Sequence, residues 1–436
     1  MSRKFAVITF SILILIVILC FVFPNLPGKI NVENISGADT AWMLTATALV
    51  LIMTPGLAFF YGGMVNKKNV LSTMLQSFIS MAIISIVWVV FGFSLAFGDS
   101  FHGIIGSPKT FFLMRDVIDG PAWKFAPTIP LILFAFYQLK FAIITPALIT
   151  GAFAERIKFT SYILFIILFC IFIYCPLAHA TWHPDGLLAK FGVLDFAGGT
   201  VVHMSAGWAA LASALYLKKR SEPAHNPARI TYVLIGTGLL WFGWFGFNAG
   251  SAFHADTLAA IAIATTSTAS AAAAFTWIIF DVVKGKKPSA MGTSIGAVVG
   301  LVAITPAAGF ITIPQSLVVG VLSSVVSNLM IEWRTKTSID DTLDVFPCHG
   351  VGGMMGMLLT GVFANKQVNA AVTDNGLIYG ETKLFLVHLV AMVGVSVFVF
   401  FGTFILLKIT NFIIPLRVSE EEEKVGLDWS QHDEKL

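Results

Sequence analysis

The chain has 436 residues, of which 57% are hydrophobic and 12% are charged, and its mean hydropathy is +0.85. Soluble domains carry about 25% charged residues, so this composition excludes an ordinary soluble enzyme and a disordered protein. The 27 Lys and Arg and the 24 Asp and Glu give a net charge of +3, which is too small by itself to attract nucleic acid. We therefore expect a protein embedded in a lipid bilayer, with no nucleic-acid partner.

Apolar segments long enough to cross about 30 Å of hydrocarbon recur along the chain. Twelve are predicted, at residues 5–26, 41–62, 70–97, 128–150, 160–178, 198–217, 230–252, 257–280, 290–310, 314–331, 346–364 and 384–407. The stretches between them are too short for a second folded domain. The sequence therefore predicts an all-α polytopic membrane protein.

The first segment has two interpretations. Arg3 and Lys4 precede a long apolar run, as in a signal peptide. The run is longer than the usual apolar centre of such a peptide, and no A-x-A-like cleavage site precedes Pro24, which favours a retained helix. Residues 1–28 are therefore predicted to be either a signal peptide or an extra N-terminal transmembrane helix.

Eleven segments follow within residues 38–414, the predicted membrane domain. If residue 30 lies outside, most of the 27 Lys and Arg fall in cytoplasmic loops, and only Lys140 lies within a segment. This distribution agrees with the positive-inside rule. It predicts a core with its N-terminus outside and a cytoplasmic C-terminal tail at 415–436, whose acidic run 420–423 we expect to be solvated.

Glycine and cysteine residues form two further patterns in the sequence. Glycines at four-residue spacing, which let membrane helices approach closely, are Gly246 and Gly250, Gly292, Gly296 and Gly300, and Gly352 and Gly356. The four cysteines, expected to be buried packing residues without a disulfide or metal-ligand spacing, are Cys20, Cys170, Cys175 and Cys348. Neither pattern indicates a cofactor.

Two segments carry a histidine at membrane depth, each after an acidic residue. His203 follows Asp195 by eight residues, about 12 Å deeper along a helix. His349 follows Asp344 by five residues. A single histidine on an apolar helix is more often a packing residue, but ionisable groups in the membrane mark functional sites. Their occurrence in two segments five apart predicts inverted halves with the site between them.

Four runs of residues resemble the ammonium transporter (Amt/Mep/Rh) family, and its Amt-type bacterial branch more than the Rhesus proteins. They are DFAGGTVVHMSAGWAALASALYLKKR at 195–220, GWFGFNAGSA at 243–252, GAFAERIKF at 151–159 and DVFPCHG at 344–350. The resemblance extends from about residue 38 to 431. It implies eleven transmembrane helices in two inverted five-helix halves plus an eleventh helix, a homotrimer in the plasma (inner) membrane, and an ammonium transporter rather than an enzyme.

The resemblance also implies roles for particular side chains. An outer recruitment site for ammonium is implied for Trp182, Phe141 and Ser251, a gate for Phe141 and Phe247, pore-lining roles for His203 and His349, and supporting roles for Asp195, Gln138 and Asp344. Aromatic faces attract a partly desolvated cation, and a hydroxyl accepts the directed hydrogen bond that ammonium donates and potassium cannot. Paired imidazoles can share a proton, which predicts that ammonium is deprotonated and crosses as ammonia with electrogenic proton transfer.

Some positions depart from the family pattern. Lys140 precedes the gate phenylalanine, where a small or apolar side chain is usual, and His183 and Asp185 stand in a stretch that is commonly rich in glycine. The tail motif GLDWSQH at 426–432 resembles the family's tail. With the basic inner loops, it predicts docking of a PII-class regulatory protein, and Trp429 is expected to pack against protein, such as the inner loops of a neighbouring subunit.

Three other functions are compatible with parts of the sequence. A membrane metal hydrolase could use His203 and His349, but catalytic zinc usually has three protein ligands and no third deep ligand accompanies the pair. An ammonium sensor would usually carry an appended signalling domain, and only the tail follows Pro415. Conduction of neutral gas, as for Rhesus relatives, would use the same pore without current.

Overall fold

The computed structural model describes residues 3–30, 34–223 and 226–436, with Arg3 and Lys4 described by their backbone alone. Within these ranges, the α-helices are α1 Arg3–Val22, α2 Gly37–Met64, α3 Val70–Val87, α4 Phe93–Phe97, α5 Leu131–Phe153, α6 Phe159–Phe169, α7 Cys175–Trp182, α8 Leu187–Phe191, α9 Ser205–Leu217, α10 Ile230–Ala249, α11 Thr257–Val283, α12 Ala290–Ile304, α13 Ile313–Thr335, α14 Gly352–Phe363, α15 Lys383–Ile413, α16 Glu420–Val425 and α17 Leu427–His432. Short 3₁₀ turns are Lys67–Asn69, Phe112–Met114, Gly250–Ala252 and Leu377–Tyr379. The strands β1 Ser100–Phe101 and β2 Ile105–Gly106 form one small antiparallel hairpin.

The predicted all-α membrane fold is confirmed. In the described part of the chain, eleven helical spans are long and apolar enough to cross a membrane, and the shorter α12 is also apolar. Each of the twelve predicted segments corresponds to one of these helices. Apolar side chains from most of these helices form one large core, and a second, smaller core includes residues of α11, α12 and α13.

The helix α1 stands apart from this core. No residue in its apolar window is buried, and Cys20 is exposed, so the expectation that all four cysteines are buried was wrong for this one. The linker after α1 is attached, because Asn25 Nδ2 donates to the carbonyls of Phe112 and Leu113 at 3.2 and 2.9 Å. Cleavage of residues 1–28 stays a prediction.

The glycine spacing in α12 is explained by close helix packing. A Cβ added at Gly296 would lie 2.6 Å from Trp277 Cβ, and one at Gly300 would lie 2.6 Å from the carbonyl oxygen of Ala269. Both neighbours belong to α11. The small residues therefore let α12 lie directly against α11, as the sequence predicted.

Four stretches of π-helix widen the bundle helices locally. They are Trp88–Gly92, Cys170–Tyr174, Gly199–Met204 and Phe346–Val351. The last two lead directly into α9 and α14 and contain His203 and His349. The π-helix is rare and is frequently found at functional sites. The backbone around both histidines is therefore consistent with a functional role.

The C-terminal tail folds back onto one end of the bundle, which we call the tail end. Asp428 accepts hydrogen bonds from the backbone N–H groups of Leu71 and Ser72 at 3.1 and 2.8 Å, at the start of α3. Glu423 is buried and pairs with Arg417 at 2.7 Å. The expectation of a solvated acidic run was therefore wrong at Glu423, because a buried arginine-paired carboxylate can hold a tail against the protein.

Candidate functional site

A cavity of about 470 Å³ opens at the end of the bundle opposite the tail, and we call it the vestibule cavity. Its walls include all three predicted recruitment side chains, Trp182, Phe141 and Ser251, together with Gln138 and Asp195. These residues come from three separate spans and, for Asp195, from the segment before the His203 helix, so the fold brings together residues that are far apart in the chain. Within the described residues, Gln138 Oε1 has no hydrogen-bond partner.

The floor of the vestibule cavity is closed by stacked phenylalanines. The rings of Phe141 and Phe247 have centroids 4.3 Å apart and planes inclined by 32°. Trp182 meets Phe141 edge-on at 5.9 Å. Phe141 lines the vestibule cavity and Phe247 lines a small cavity that contains His203 and His349, so the two rings lie between these cavities.

Ser251 is oriented by a residue that the sequence interpretation missed. The Tyr137 hydroxyl lies 3.2 Å from Ser251 Oγ and also donates toward the carbonyls of Gly246 and Phe247 at 3.0 and 2.9 Å. Ser251 Oγ donates to the carbonyl of Phe247 at 3.0 Å. The position of Tyr137 one helical turn before Phe141 is the signal that could have indicated it.

Asp195 forms its hydrogen bonds with the protein's own backbone and side chains. Its carboxylate accepts the backbone N–H groups of Gly198, Gly199 and Thr200 at 2.8, 2.6 and 2.7 Å, and the Thr200 hydroxyl as well. Its carbonyl accepts Trp182 Nε1–H at 3.1 Å. A carboxylate is favoured at the N-terminus of a helix, and here it holds both the start of the His203 helix and the recruitment tryptophan.

The two pore histidines are in contact below the phenylalanines. His203 Nδ1 and His349 Nδ1 are 3.3 Å apart, and both rings are almost completely buried. They lie along a narrow cavity of about 10 Å³ with otherwise apolar and aromatic walls, room for about one water-sized molecule. Gly207 lies against the backbone of Gly350, which lets the two helices approach closely enough for the imidazoles to meet.

Two further residues surround His203 and were not predicted. Trp244 stacks on the His203 ring at 5.3 Å with planes inclined by 19°. Thr305 Oγ1 lies 3.3 Å from His203 Nε2 and accepts Trp244 Nε1–H at 2.9 Å. Trp244 lies inside the recognised run 243–252, whereas Thr305 belongs to a distant helix end that has no sequence signal of its own.

The acidic partner of the second histidine helix is Asp341. This buried residue accepts the backbone N–H groups of Val345 and Phe346 at 3.1 and 2.7 Å, as Asp195 does in the first half. Asp344 instead pairs with Arg334 at 2.6 Å. Burial raises the pKa of Asp344 to about 7, although the charge of Arg334 opposes the shift. The residue that caps the second histidine helix as Asp195 caps the first is therefore Asp341, three residues before Asp344.

Three residues that depart from the family pattern are Lys140, His183 and Asp185. Lys140 places its Nζ 5.8 Å from the ring centroid of Phe136, and the walls of the vestibule cavity do not include it. His183 is buried and stacks on His179 with centroids 4.3 Å apart. Asp185 is exposed and pairs with Lys190 at 2.9 Å.

A second cavity of about 480 Å³ opens at the tail end, with Arg220, Asp340 and Asp344 among its walls. Apolar spans, a cavity at each end of the bundle and a small buried cavity lined by His203 and His349 are the features of a membrane transport protein. Within the described ranges, no three His, Cys, Asp or Glu side chains are grouped so that they could hold a metal ion.

The Ammonium Transporter Family model matches residues 41–436, and the chain belongs to that family. It is 48% identical over 402 residues to a putative ammonium transporter of Methanothermobacter thermautotrophicus, covering 92% of this chain and 98% of the relative. It is 46% identical to the ammonium transporter of Bacillus subtilis, covering 91% and 98%.

Solved structures agree with this assignment. The crystal structure of Saccharomyces cerevisiae Mep2 matches with a TM-score of 0.84 and 36% identity, covering 89% of each chain. The protein is therefore a multi-pass membrane transporter for ammonium, and it is not an enzyme.

Proposed function

We propose that ammonium binds in the vestibule cavity among Trp182, Phe141 and Ser251, loses a proton, and crosses the pore as ammonia. Support for the first step comes from the chemistry of the walls. Aromatic faces attract a desolvated cation, and the oxygens of Ser251 and Gln138 can accept hydrogen bonds from ammonium. Potassium donates none, so these oxygens favour ammonium over an ion of similar size.

The phenylalanine floor is proposed to act as the gate. Phe141 and Phe247 must separate from their 4.3 Å stack before anything passes. Below them, the walls are apolar apart from the histidines, and an intact cation would lose its hydration there at high cost. Ammonia carries no charge and avoids that cost, whereas potassium has no neutral form.

The imidazole pair is the observation that carries the proposal. Two neutral imidazoles whose Nδ1 atoms are 3.3 Å apart share one hydrogen bond, and the pair can take up an additional proton at its remaining bare ring nitrogen. Such a pair can take the proton released by ammonium and relay it along the pore. Transport is then electrogenic, with one positive charge moved for each ammonia.

The test is the current that an ammonium pulse produces in proteoliposomes. We expect His203→Ala and His349→Ala to abolish selective ammonium current while the protein remains folded. The matched control is His102→Asn, which changes an exposed histidine beside the β1–β2 hairpin and should leave the current unchanged. Wild-type current with potassium still excluded in either pore variant would reject the relay, and a wild-type protein that conducts without current would indicate neutral gas conduction.

We further propose a homotrimer in the plasma (inner) membrane, with the vestibule cavity outside and the tail end in the cytoplasm. Family membership supports the trimer, and the concentration of Lys and Arg in the loops on the tail side supports the orientation. In this arrangement the membrane domain comprises residues 38–414 and the tail comprises 415–436. Light scattering of the detergent-solubilised protein measures the subunit number.

A PII-class regulatory protein is the proposed partner at the tail end. The docked tail and the basic inner loops form a charged surface there, and Trp429 remains 46% exposed with Lys435 Nζ 4.3 Å from its ring centroid. Deleting residues 420–436 should lower the ammonium current and weaken capture of PII, with membrane insertion unchanged. Unchanged current together with unchanged capture would reject this role for the tail.

A further inference from the structure

The 3.3 Å contact between His203 Nδ1 and His349 Nδ1 requires that only one of these two atoms carries a hydrogen. In a neutral pair, one Nδ1 carries hydrogen and donates, while the other is bare and accepts. Which ring donates is set by what the other nitrogen of each ring contacts. For His203 that contact is Thr305 Oγ1, 3.3 Å from Nε2.

The Thr305 hydroxyl has one proton and two acceptor positions. Trp244 Nε1–H occupies one acceptor position at 2.9 Å, since the indole nitrogen can only donate. The hydroxyl lies 2.8 Å from the carbonyl of Leu301, which can only accept. The proton of the hydroxyl therefore points to Leu301, and the remaining acceptor position faces His203.

The end of α12 explains why that carbonyl takes the hydroxyl proton. If the helix continued, the backbone N–H of Thr305 would bond to Leu301, but it donates to the carbonyl of Val302 instead, at 3.2 Å. Pro306 follows and has no N–H group. The helix thus ends with a carbonyl that the Thr305 side chain satisfies.

We infer that Thr305 is a positioning residue that selects the tautomers of the pore pair: His203 is protonated on Nε2, His349 is protonated on Nδ1, and His349 Nε2 is the bare nitrogen. The three assignments follow from one another. His203 Nε2–H donates to Thr305, so His203 Nδ1 is bare and accepts from His349 Nδ1–H. Neutrality of His349 then leaves its Nε2 without hydrogen.

This order leaves the pair one place for an additional proton. The bare nitrogen at one end belongs to His349, and the donor at the other end is held by Thr305. A proton that binds His349 Nε2 gives the pair one positive charge, which the hydrogen bond between the two Nδ1 atoms can share. This consequence for transport rests on the proposed function of the pair as a proton relay, whereas the tautomer assignment itself does not.

Nitrogen NMR reads the tautomers without reference to transport. The full-length protein, labelled with ¹⁵N-histidine in lipid vesicles, gives different signals for protonated and bare ring nitrogens, and single replacements of His203 and His349 assign them. We expect the order above in wild type and in Thr305→Ser, which keeps the hydroxyl. Thr305→Val keeps the shape but removes the acceptor, and we expect its pair to reverse. A reversed order in wild type, or an unchanged order in Thr305→Val, would overturn the inference, and the wild-type spectrum alone decides if the valine variant does not fold.

Ammonium currents of the same variants test the link to function. We expect Thr305→Val to lower the maximal current about tenfold or more, as outer partners of functional histidines do, with the half-saturating ammonium concentration unchanged because the vestibule cavity is untouched. Thr305→Ser should restore the current. If Thr305→Val reverses the tautomer order but keeps full current, the tautomer assignment is supported and the relay is rejected. Failure of the assignment and failure of the relay are therefore distinguishable.

Discussion

At the scale of single residues, Asp195 directs both carboxylate oxygens at the chain rather than at the vestibule cavity. The three backbone N–H groups and one hydroxyl that it accepts belong to consecutive residues at the start of the π-helical stretch. The same backbone leads to His203, and the carbonyl of Asp195 anchors Trp182. Asp195 therefore has a positioning role: its carboxylate fixes the start of the His203 helix, and its carbonyl fixes Trp182. A substitution of Asp195 affects both parts of the site.

We predict that Asp195→Ala lowers the free energy of unfolding by about 3 kcal/mol or more, because hydrogen bonds to a charged group contribute about 1.5–3 kcal/mol each. Asp195→Glu should lose less, since a carboxylate remains. Thermal unfolding in detergent and ammonium current are measured together. Asp185→Ala, which changes an exposed aspartate, should leave the melting temperature unchanged.

The state of the inactive variant separates the two contributions of Asp195. A folded oligomer without current would assign it a role in transport beyond folding. Aggregated protein would restrict its role to the structure. Full stability and full current in Asp195→Ala would contradict the capping interpretation.

At the scale of elements, the tail helices α16 and α17 are attached through a few polar contacts. Glu423 accepts from Arg417 at 2.7 Å and from the backbone and hydroxyl of Ser221 at 2.9 Å. Burial of Glu423 opposes its ionisation, but these hydrogen bonds outweigh burial and lower the pKa of the carboxyl. Burial raises the pKa of Asp428 despite its backbone hydrogen bonds, so the two carboxylates affect docking with opposite signs.

We predict that Glu423 strengthens tail docking above the ordinary glutamate pKa of about 4.3. Its contribution is lost as the pH falls through the lowered pKa of the docked state, because protonation then removes the charge. The quantity to measure is the difference in hydrogen exchange of residues 415–436 between wild type and Glu423→Gln. This difference should be constant near neutral pH and vanish in acid.

The matched control for this measurement is Glu421→Gln, which changes an exposed neighbour in the same helix. It should leave tail exchange as in wild type at every pH. A Glu423→Gln tail that exchanges as slowly as wild type near neutral pH would show that the Arg417 pair does not hold the tail.

At the scale of the whole molecule, one arginine joins distant parts of the chain at the tail end. Arg220 pairs with Glu155 at 2.8 Å and with Asp340 at 2.9 Å, and all three side chains are buried. Burial raises the pKa of Asp340, but hydrogen bonds and the charges of Arg220 and Arg156 outweigh burial, and the net pKa lies below its usual value. The network connects the end of α5, the loop after α9 and the segment before the His349 helix.

We predict that Asp340→Ala destabilises the protein by about 3 kcal/mol or more, because Arg220 keeps Glu155 but loses two hydrogen bonds to a charged group, which contribute about 1.5–3 kcal/mol each. The double change Asp340→Ala with Arg220→Met should cost less than the sum of the single changes, because both single changes remove the same Arg220–Asp340 pair. Chemical unfolding in detergent measures all three variants. Strict additivity would show that the pair is not coupled.

Hydropathy and spacing in the sequence were sufficient for the helices and for much of their packing. A membrane span is determined by the apolar residues within one segment, so each of the twelve helices was predictable locally. The glycine spacing of α12 predicted a close helix contact for the same reason. The recognised motifs also named Trp182, Phe141 and Ser251, which the structure brings into one cavity.

Only the tertiary structure decided which polar atoms meet. Asp341 rather than Asp344 caps the second histidine helix, Thr305 reaches His203 from α12, and Glu423 is buried on a tail that its composition marks as solvated. Thr305 and His203 are 102 positions apart and Glu423 and Ser221 are 202 apart, and hydrogen bonds need alignment within a few tenths of an ångström. The sequence by itself determined where the chain crosses the membrane, because that depends on the burial of whole segments. The arrangement of donors and acceptors in the pore depends on how those segments pack, and no local pattern encodes it.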